Sequence, residues 1–411
     1  MLHIDRDEIR NKLKVQGIDP DHIKSLHVKL QSGELDHSSF VIDKNRLRPP
    51  TNSDINEYSN LDTQKMINAG NDALKDDELL VFWLNGGAAT RYFDESKVTP
   101  EEQIRYQTAL NKITPEITNL PKGVAPVIDD MSYLELKIRN LLEITKQSKL
   151  DVHPQVVIMN SFITDEQTRK HLNALYKKYP DLDPERFHFV VQQPTMPRFT
   201  KVDNLKNIDL FVTTDGSLSF APCGHGDFIY LLQDYLRSAH IPNVKYLFFA
   251  NIDNLGATID PALLGYHVNH KYGRTVELAT KELGDQGGAP CFVDEELIIV
   301  EQMKFPPNFD QDSIKWFNTN SFWFTLKDLM NFDDDLPLIL AEKTIDKDNV
   351  FQLEHFACDV HLPSKYINIP RQTRFWPVKR YVDLLIYQDP SFNQEISSQF
   401  SNLLQSVYNI T

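Results

Sequence analysis

The sequence predicts an α/β fold with a mostly parallel mixed sheet flanked by helices, of the Rossmann-like kind, on three observations. Short apolar runs recur along most of the chain, amphipathic stretches separate them, and glycines gather just beyond the ends of the runs. Apolar runs bounded by turn residues read as strands buried on both faces, and their alternation with helical patterns reads as a parallel sheet.

Residues 1–75 differ in texture from the rest of the chain. Helical patterns at 5–15 and 19–30 lead into an irregular stretch with Pro49 and Pro50, which predicts an N-terminal helical arm over 1–75. Apolar runs then appear at Leu79–Leu84, 155–159, 187–191 and 246–250, with helix-like segments at Asp165–Lys178 and 228–239 between them. Residues 76–390 are expected to form the main domain, with an insertion of mixed polar sequence at 94–120. A closing helix is expected within 391–411, at 391–407. No internal repeat or low-complexity tract breaks this pattern.

Composition bounds the function classes. The chain has 411 residues and a net charge of −15, with no basic block, so phosphate neutralisation along a nucleic acid is disfavoured. A polyphosphate can still bind at a local site of backbone amides, a few cations and a metal ion. The three cysteines, Cys223, Cys291 and Cys358, lie far apart and read as reduced thiols of a cytoplasmic protein. No apolar run is long enough for a membrane span, and the charged N-terminus has no signal-peptide core.

Of only 15 glycines, Gly86, Gly87, Gly224, Gly226, Gly256, Gly287 and Gly288 are concentrated in a few loops, which makes those loops candidates for ligand contact. The loop 84–91 follows a predicted strand, where open α/β sheets bind ligands; a plain strand-to-helix turn is the alternative. It carries neither the Walker nor the Rossmann glycine spacing. In 222–227, glycines flank His225, which could donate to a phosphate or carbonyl oxygen; a turn histidine with Asp227 as helix cap is the alternative. In 250–256, Asp253 at a strand end suits Mg²⁺, and an Asx-turn is the bland reading. His355, Cys358 and His361 resemble a zinc cluster, but a fourth ligand is missing and the surroundings read as core. Asp333, Asp334 and Asp335 read as a solvated acidic turn.

Taken together these loops resemble one family, the UDP-glucose pyrophosphorylases, or UTP–glucose-1-phosphate uridylyltransferases. Leu84-Asn85-Gly86-Gly87 is similar to their LNGG, and Met159-Asn160-Ser161-Phe162 with Thr164-Asp165-Glu166 to MNSF-x-TDE. Residues 222–227 match P-x-GHGD, 251–257 match N-x-DNLGA, 317–320 match FNTN and 352–354 match QLE. Pro370-Arg371 and 374–379 resemble PR-x-RF-x-PVK, and Ser32-Gly33-Glu34 extends a weaker likeness towards the N-terminus. The blocks occur in family order across roughly residues 80–390.

The resemblance implies a nucleotidyltransferase domain that binds UTP, a sugar 1-phosphate and Mg²⁺ and transfers UMP to give a UDP-sugar and pyrophosphate. By the same resemblance, Leu84, Gly86, Gly87 and Gly224 would lie against the nucleotide and Gln193 would read the uracil. Asp253 would hold the metal, and His225 would contact the phosphate or sugar side. Glu277, Gly288, Asn318 and Asn320 fall in segments used for the hexose hydroxyls. Lys379 and Lys122 would neutralise phosphates, and Arg91 resembles the arginine of related sugar nucleotidyltransferases. The GHGD and FNTN blocks point to glucose 1-phosphate as acceptor. Such chemistry needs no general base, because the attacking phosphate oxygen is already anionic; positioning and cations supply the catalysis.

The chain departs from the family's GG-x-GT loop at Ala89, and the segment after Lys281 is one residue shorter than the family's and lacks its lysine before Gly287-Gly288. The insertion 94–120 is long enough for a lid or for docking a protein partner. Since the chain ends near residue 411, the family's C-terminal β-helix is expected to be missing and the protein to be a monomer. Two further readings stay open: a uridylyltransferase with another acceptor or a partner activator, and a catalytically silent nucleotide-sugar binder.

Overall fold

The computed structural model describes residues 3–87, 92–93, 98–239, 241–282, 285, 287–345 and 348–410. Among them an eight-stranded sheet forms the centre. Its strands in chain order are β1 (Asn56–Glu57), β2 (Leu79–Leu84), β3 (Gln155–Ser161), β4 (Phe187–Gln192), β5 (Tyr246–Asn251), β6 (Arg274–Thr280), β7 (Trp316–Thr325) and β8 (Ser364–Ile369). In space they run β1-β8-β6-β7-β5-β2-β3-β4. β7 is antiparallel to β5 and β6, and the other neighbours pair in parallel. The predicted mixed, mostly parallel sheet is therefore the fold.

β2 shows why such strands read as unbroken apolar runs. Leu79, Val81 and Trp83 enter the core on one face of the sheet, while Leu80, Phe82 and Leu84 enter the core on the other. Side chains alternate between faces, and covering both faces removes the polar positions from the pattern. The helices Asp165–Lys178 and Phe228–Ser238 stand essentially where the periodicity predicts them.

Residues 1–75 divide between separate cores. The helix Pro20–Ser32 starts behind Asp19, whose carboxylate caps the Asp21 N–H, and stops at Gly33 with φ 81°. With the helix Asp7–Val15 it buries Leu13, Ile23 and Leu30 against Phe199, Leu340 and Phe351 of a smaller sheet. The helix Thr63–Lys75 instead packs on the helix Pro261–His270 and joins the main core through Met66, Ala73 and Leu74. The two axes approach closely at Gly70 and Gly265, where a Cβ would run into the carbonyls of Pro261 and Met66.

The described part of the insertion contains the short helix Pro115–Thr118 and, before it, the helix Pro100–Leu110, opened by a Thr99–Glu102 capping box. It docks on the helix Tyr381–Gln388: Glu102 meets Arg380, Arg105 lies 3.5 Å from Asp389, and Tyr106 is buried. The closing helix spans Gln394–Tyr408 and buries Phe400, Leu403, Leu404 and Tyr408 in the main core. Among the described residues no helix is long and apolar enough to cross a membrane.

Candidate active site

The carboxyl ends of the central parallel strands lie side by side. Leu84 of β2 stands opposite Asn251 of β5 and Met159 of β3, and Ser161 stands opposite Gln192 of β4. β2 has β5 on one side and β3 on the other, so the chain leaves it in opposite directions and opens a crevice at this edge.

A cavity of about 270 Å³ occupies the crevice, lined by Leu84, Gly86, Gly87, Gly224 and Asp253 among others. The loop after β2 is clamped from below. Buried Asn85 donates through Nδ2 to Asn160 Oδ1 (2.8 Å) and Thr168 Oγ1 (3.0 Å), while its carbonyl accepts from Thr164 Oγ1. The Ser161 hydroxyl donates to the Gly86 carbonyl at 2.9 Å. The MNSF and TDE blocks thus support the glycine loop, and no Cβ occupies the cavity at Gly86 or Gly87.

Opposite this loop, Gly224 has φ 84° and ψ 177°, a conformation essentially restricted to glycine. A Cβ there would also strike the main chain of His355. Gln192 Nε2 donates to the Gly224 carbonyl (2.6 Å) and to Asp227 Oδ2 (3.0 Å), which fixes this wall of the cavity. Burial raises the Asp227 pKa, and the Gln192 hydrogen bond opposes that shift. Asp227 precedes the helix Phe228–Ser238 without capping it through its side chain. His225 accepts from the Ala357 N–H through Nδ1 at 3.1 Å, which leaves the proton on Nε2. Burial, helped by the Lys343 charge, lowers its pKa to about 4. His225 is therefore a neutral hydrogen-bond donor near pH 7.

Asp253 is the carboxylate of the cavity. Its Oδ2 accepts from Lys122 Nζ at 2.6 Å, and Lys122 also donates to the Val378 carbonyl. Gly123 lets this lysine segment approach, since a Cβ there would collide with the Asn85 side chain. The Asp253 loop is held from behind by Lys137, which is fully buried and donates to the carbonyls of Asn254 and Ala257. Burial lowers the Lys137 pKa to about 7. Asn254 Oδ1 accepts from the Gly256 and Trp376 N–H groups, and the Tyr408 hydroxyl donates to the Leu255 carbonyl.

A larger cleft of about 1090 Å³ adjoins the first and shares His225 and Asn251 with it. Gly288, Asn318, Asn320 and Lys379 line it. Asn320 holds φ 56°, donates through Nδ2 to Asn251 Oδ1 (3.1 Å), and gives its N–H to Asn318 Oδ1. The Asn318 N–H donates to the Gly288 carbonyl at 2.8 Å. Lys379 is exposed and makes no ion pair among the described residues, unlike Lys122.

Some expectations are corrected by position. Glu277 does not line the cleft: it is 1% exposed and accepts from Arg374 at 2.8 and 2.9 Å and from Trp323 Nε1 at 2.8 Å. A register shift in β6 after Glu277 accompanies this inward placement. Gln193 is exposed and lies outside the cavity lining, whereas Gln192, the last residue of β4, lines it. The pleat sends successive side chains to opposite faces. His355, Cys358 and His361 do not gather as a metal set among the described residues, and the buried Cys358 thiol donates instead to Glu301. Arg91 and Ala89 lie outside the described residues. Asn85, Gln192, Lys137 and Arg374 were not singled out from the sequence as site-building residues. Asn85 and Arg374 belong to matching blocks and Gln192 adjoins Gln193, whereas Lys137 carried no sequence signal.

Fold and site together define an α/β protein with a glycine-walled cavity at the sheet's switch point and a larger polar cleft beside it. Residues 117–407 match the family model described as UTP–glucose-1-phosphate uridylyltransferase. The chain is 30% identical over 292 residues to UTP–glucose-1-phosphate uridylyltransferase 2 of Dictyostelium discoideum, covering 67% of this chain and 56% of that protein. It therefore belongs to the UTP–glucose-1-phosphate uridylyltransferase family, a family of nucleotidyltransferases. The chain spans just over half the length of that relative. Solved structures share the fold. A UDP-glucose phosphorylase of Trypanosoma brucei superposes with TM-score 0.65 at 22% identity, covering 91% of this chain and 76% of that one. The uridine diphosphate N-acetylglucosamine pyrophosphorylase of the same organism superposes with TM-score 0.68 at 16% identity, covering 98% and 84%.

Proposed function

We propose that the protein transfers UMP from UTP to a sugar 1-phosphate, with glucose 1-phosphate as the acceptor. The observation that carries this reading is the junction of the two chambers at His225 and Asn251, with Lys122 and Asp253 on one side and Lys379 on the other. The smaller chamber would take the nucleotide against Leu84, Gly86, Gly87 and Gly224. The larger would take the acceptor, with Asn318, Asn320 and the Gly288 main chain facing its hydroxyls.

In this reading an anionic oxygen of the sugar phosphate attacks the α-phosphorus of UTP. The new phosphorus–oxygen bond forms as the bond to pyrophosphate breaks, and pyrophosphate leaves with the electron pair. No proton has to move, which agrees with the neutral state of His225. Its Nε2–H is free to donate to a phosphate oxygen, and Lys379 to neutralise charge on the acceptor or leaving group. Asp253 fits Mg²⁺, because one of its carboxylate oxygens has no partner among the described residues and the ion takes few protein carboxylates when phosphates complete its shell. Bound there, Mg²⁺ supplies charge neutralisation on the polyphosphate. Lys122 orients the Asp253 carboxylate.

A different acceptor is the second reading, favoured by the size of the cleft, which slightly exceeds the usual ~300–1,000 Å³ of small-molecule sites. Pyrophosphate release from UTP and Mg²⁺ separates the two. Release that depends on glucose 1-phosphate supports the proposal. Release with N-acetylglucosamine 1-phosphate or galactose 1-phosphate but not glucose 1-phosphate transfers it to another sugar. UTP binding with no release alongside any of them rejects the proposed reaction for the isolated chain.

A further inference from the structure

We propose that Cys223, Asp227 and His355 form a zinc site on the back of the glycine turn, separate from the carboxylate that faces the cleft. One ligand atom from each lies within 4.8 Å of the others, and the group combines a thiol, a carboxylate and an imidazole. That donor set selects zinc over magnesium, since thiolate is a soft ligand and imidazole a borderline one. Zinc bonds of ~2.0–2.3 Å place tetrahedral ligand atoms about 3.5 Å apart, so small side-chain rotations close the site, and water supplies the fourth position.

The surroundings are arranged as metal sites require. The His355 N–H donates to the Cys223 carbonyl at 2.7 Å, and the Gly226 N–H donates to the His355 carbonyl at 2.9 Å. The ligands therefore sit on backbones already tied together. His355 donates its Nδ1–H to the Pro337 carbonyl at 3.0 Å, which leaves the lone pair on Nε2 for the ion. Asp227 is steadied by the Cys223 N–H and by Gln192 Nε2, both on Oδ2. The Cys223 thiol has only a long contact, 3.6 Å, to the Leu353 carbonyl. On binding, the thiol proton passes to solvent and the sulfur–zinc bond replaces the S–H bond, with no change of oxidation state.

Gln192 also donates to the Gly224 carbonyl in the smaller chamber, so zinc would stiffen that wall. An effect of zinc on nucleotide affinity rests on the function proposed above, whereas the site itself does not. The test therefore uses metal alone. The full chain is stripped with a chelator and titrated with Co²⁺, and a near-ultraviolet thiolate-to-cobalt band is followed. A band that saturates with a single equivalent, is displaced by Zn²⁺, is lost in Cys223→Ser and persists in Cys358→Ala supports the site. No band in the parent chain overturns it, as does a band that survives in Cys223→Ser. His355→Gln, at a half-exposed position, gives a second variant if Cys223→Ser disturbs the circular dichroism; an unchanged band in His355→Gln also overturns the proposal.

Discussion

The two chambers of the cleft are built on different principles. The smaller one sits where consecutive parallel strands end, and glycine main chain held by Asn85, Ser161 and Gln192 forms part of its wall beside Lys122 and Asp253. The larger one is bordered by an antiparallel strand and the segment 371–380, and its walls are mostly side chains, with the main chain of Gly287 and Gly288 among them. At Gly224 a Cβ has nowhere to go, since it would strike the His355 main chain, whereas a Cβ at Gly87 would enter open space. Side-chain walls can be retuned residue by residue while the fold persists. The chambers should therefore respond differently to mutation.

The largest effect is expected at the carboxylate of the smaller chamber. Asp253→Ala should lower turnover by roughly 10²–10³-fold or more without unfolding the chain, because it leaves Lys122 without its ion-pair partner and removes the carboxylate proposed to face the phosphates. Stopped pyrophosphate-release assays beside a thermal melt measure both; near-normal turnover would remove Asp253 from the reaction. Next comes the buried ion pair behind the larger chamber. Arg374→Met strips Glu277 of its guanidinium partner inside the core and should destabilise the protein by about 3–5 kcal/mol in urea unfolding. A loss well under that would mean that the pair is relaxed by water in solution.

Smaller, chamber-specific effects sharpen the comparison. Gly224→Ala forces a side chain into a glycine-only conformation and should destabilise by about 1–3 kcal/mol, raising the KM for UTP and leaving that for the acceptor unchanged. Asn320→Gly keeps the positive φ and deletes the amide, and should raise the acceptor KM about tenfold with the UTP KM unaltered. Equal shifts in both constants for either variant would show that the chambers are not independent.

The gentlest test is pH. His225 and His267 are both lowered from 6.5 to about 4 by burial. Between these values the unfolded chain binds more protons than the folded one, so stability is full above pH 6.5 and falls as the pH drops towards 4. Melting temperatures across that window should decline progressively, and His267→Phe should flatten the decline if it folds. A flat profile in the parent chain would contradict the buried neutral state of both rings.

Much of this architecture was legible in the residues. β2 is apolar on both faces because both faces are covered, so its six-residue run could be read directly. The glycine loops could be read too, since a chain poor in glycine places it where the backbone needs it. Asp253 and His225 stood out by their position between such loops. Gln192 and Gln193 show where this stops: adjacent identical side chains on a strand end point to opposite sides, and only the pleat and register decide which one faces the cavity. Glu277 is a second case. Its carboxylate would suit a sugar hydroxyl equally well, and its role was decided by Arg374, nearly a hundred residues later in the chain, packing beside it in the core.

The sequence by itself determined the class of fold, four of the eight strands of the central sheet and the loops that follow them, because each depends on local pattern: hydrophobic runs, turn residues and conformations that only glycine adopts readily. Tertiary structure alone decided which polar side chains line the cleft and which are consumed in holding it. It also decided that the first 75 residues serve separate cores and that Cys223, Asp227 and His355 meet. Those outcomes depend on contacts between residues distant along the chain, where burial leaves a charge or an amide to the partner that packing brings within reach.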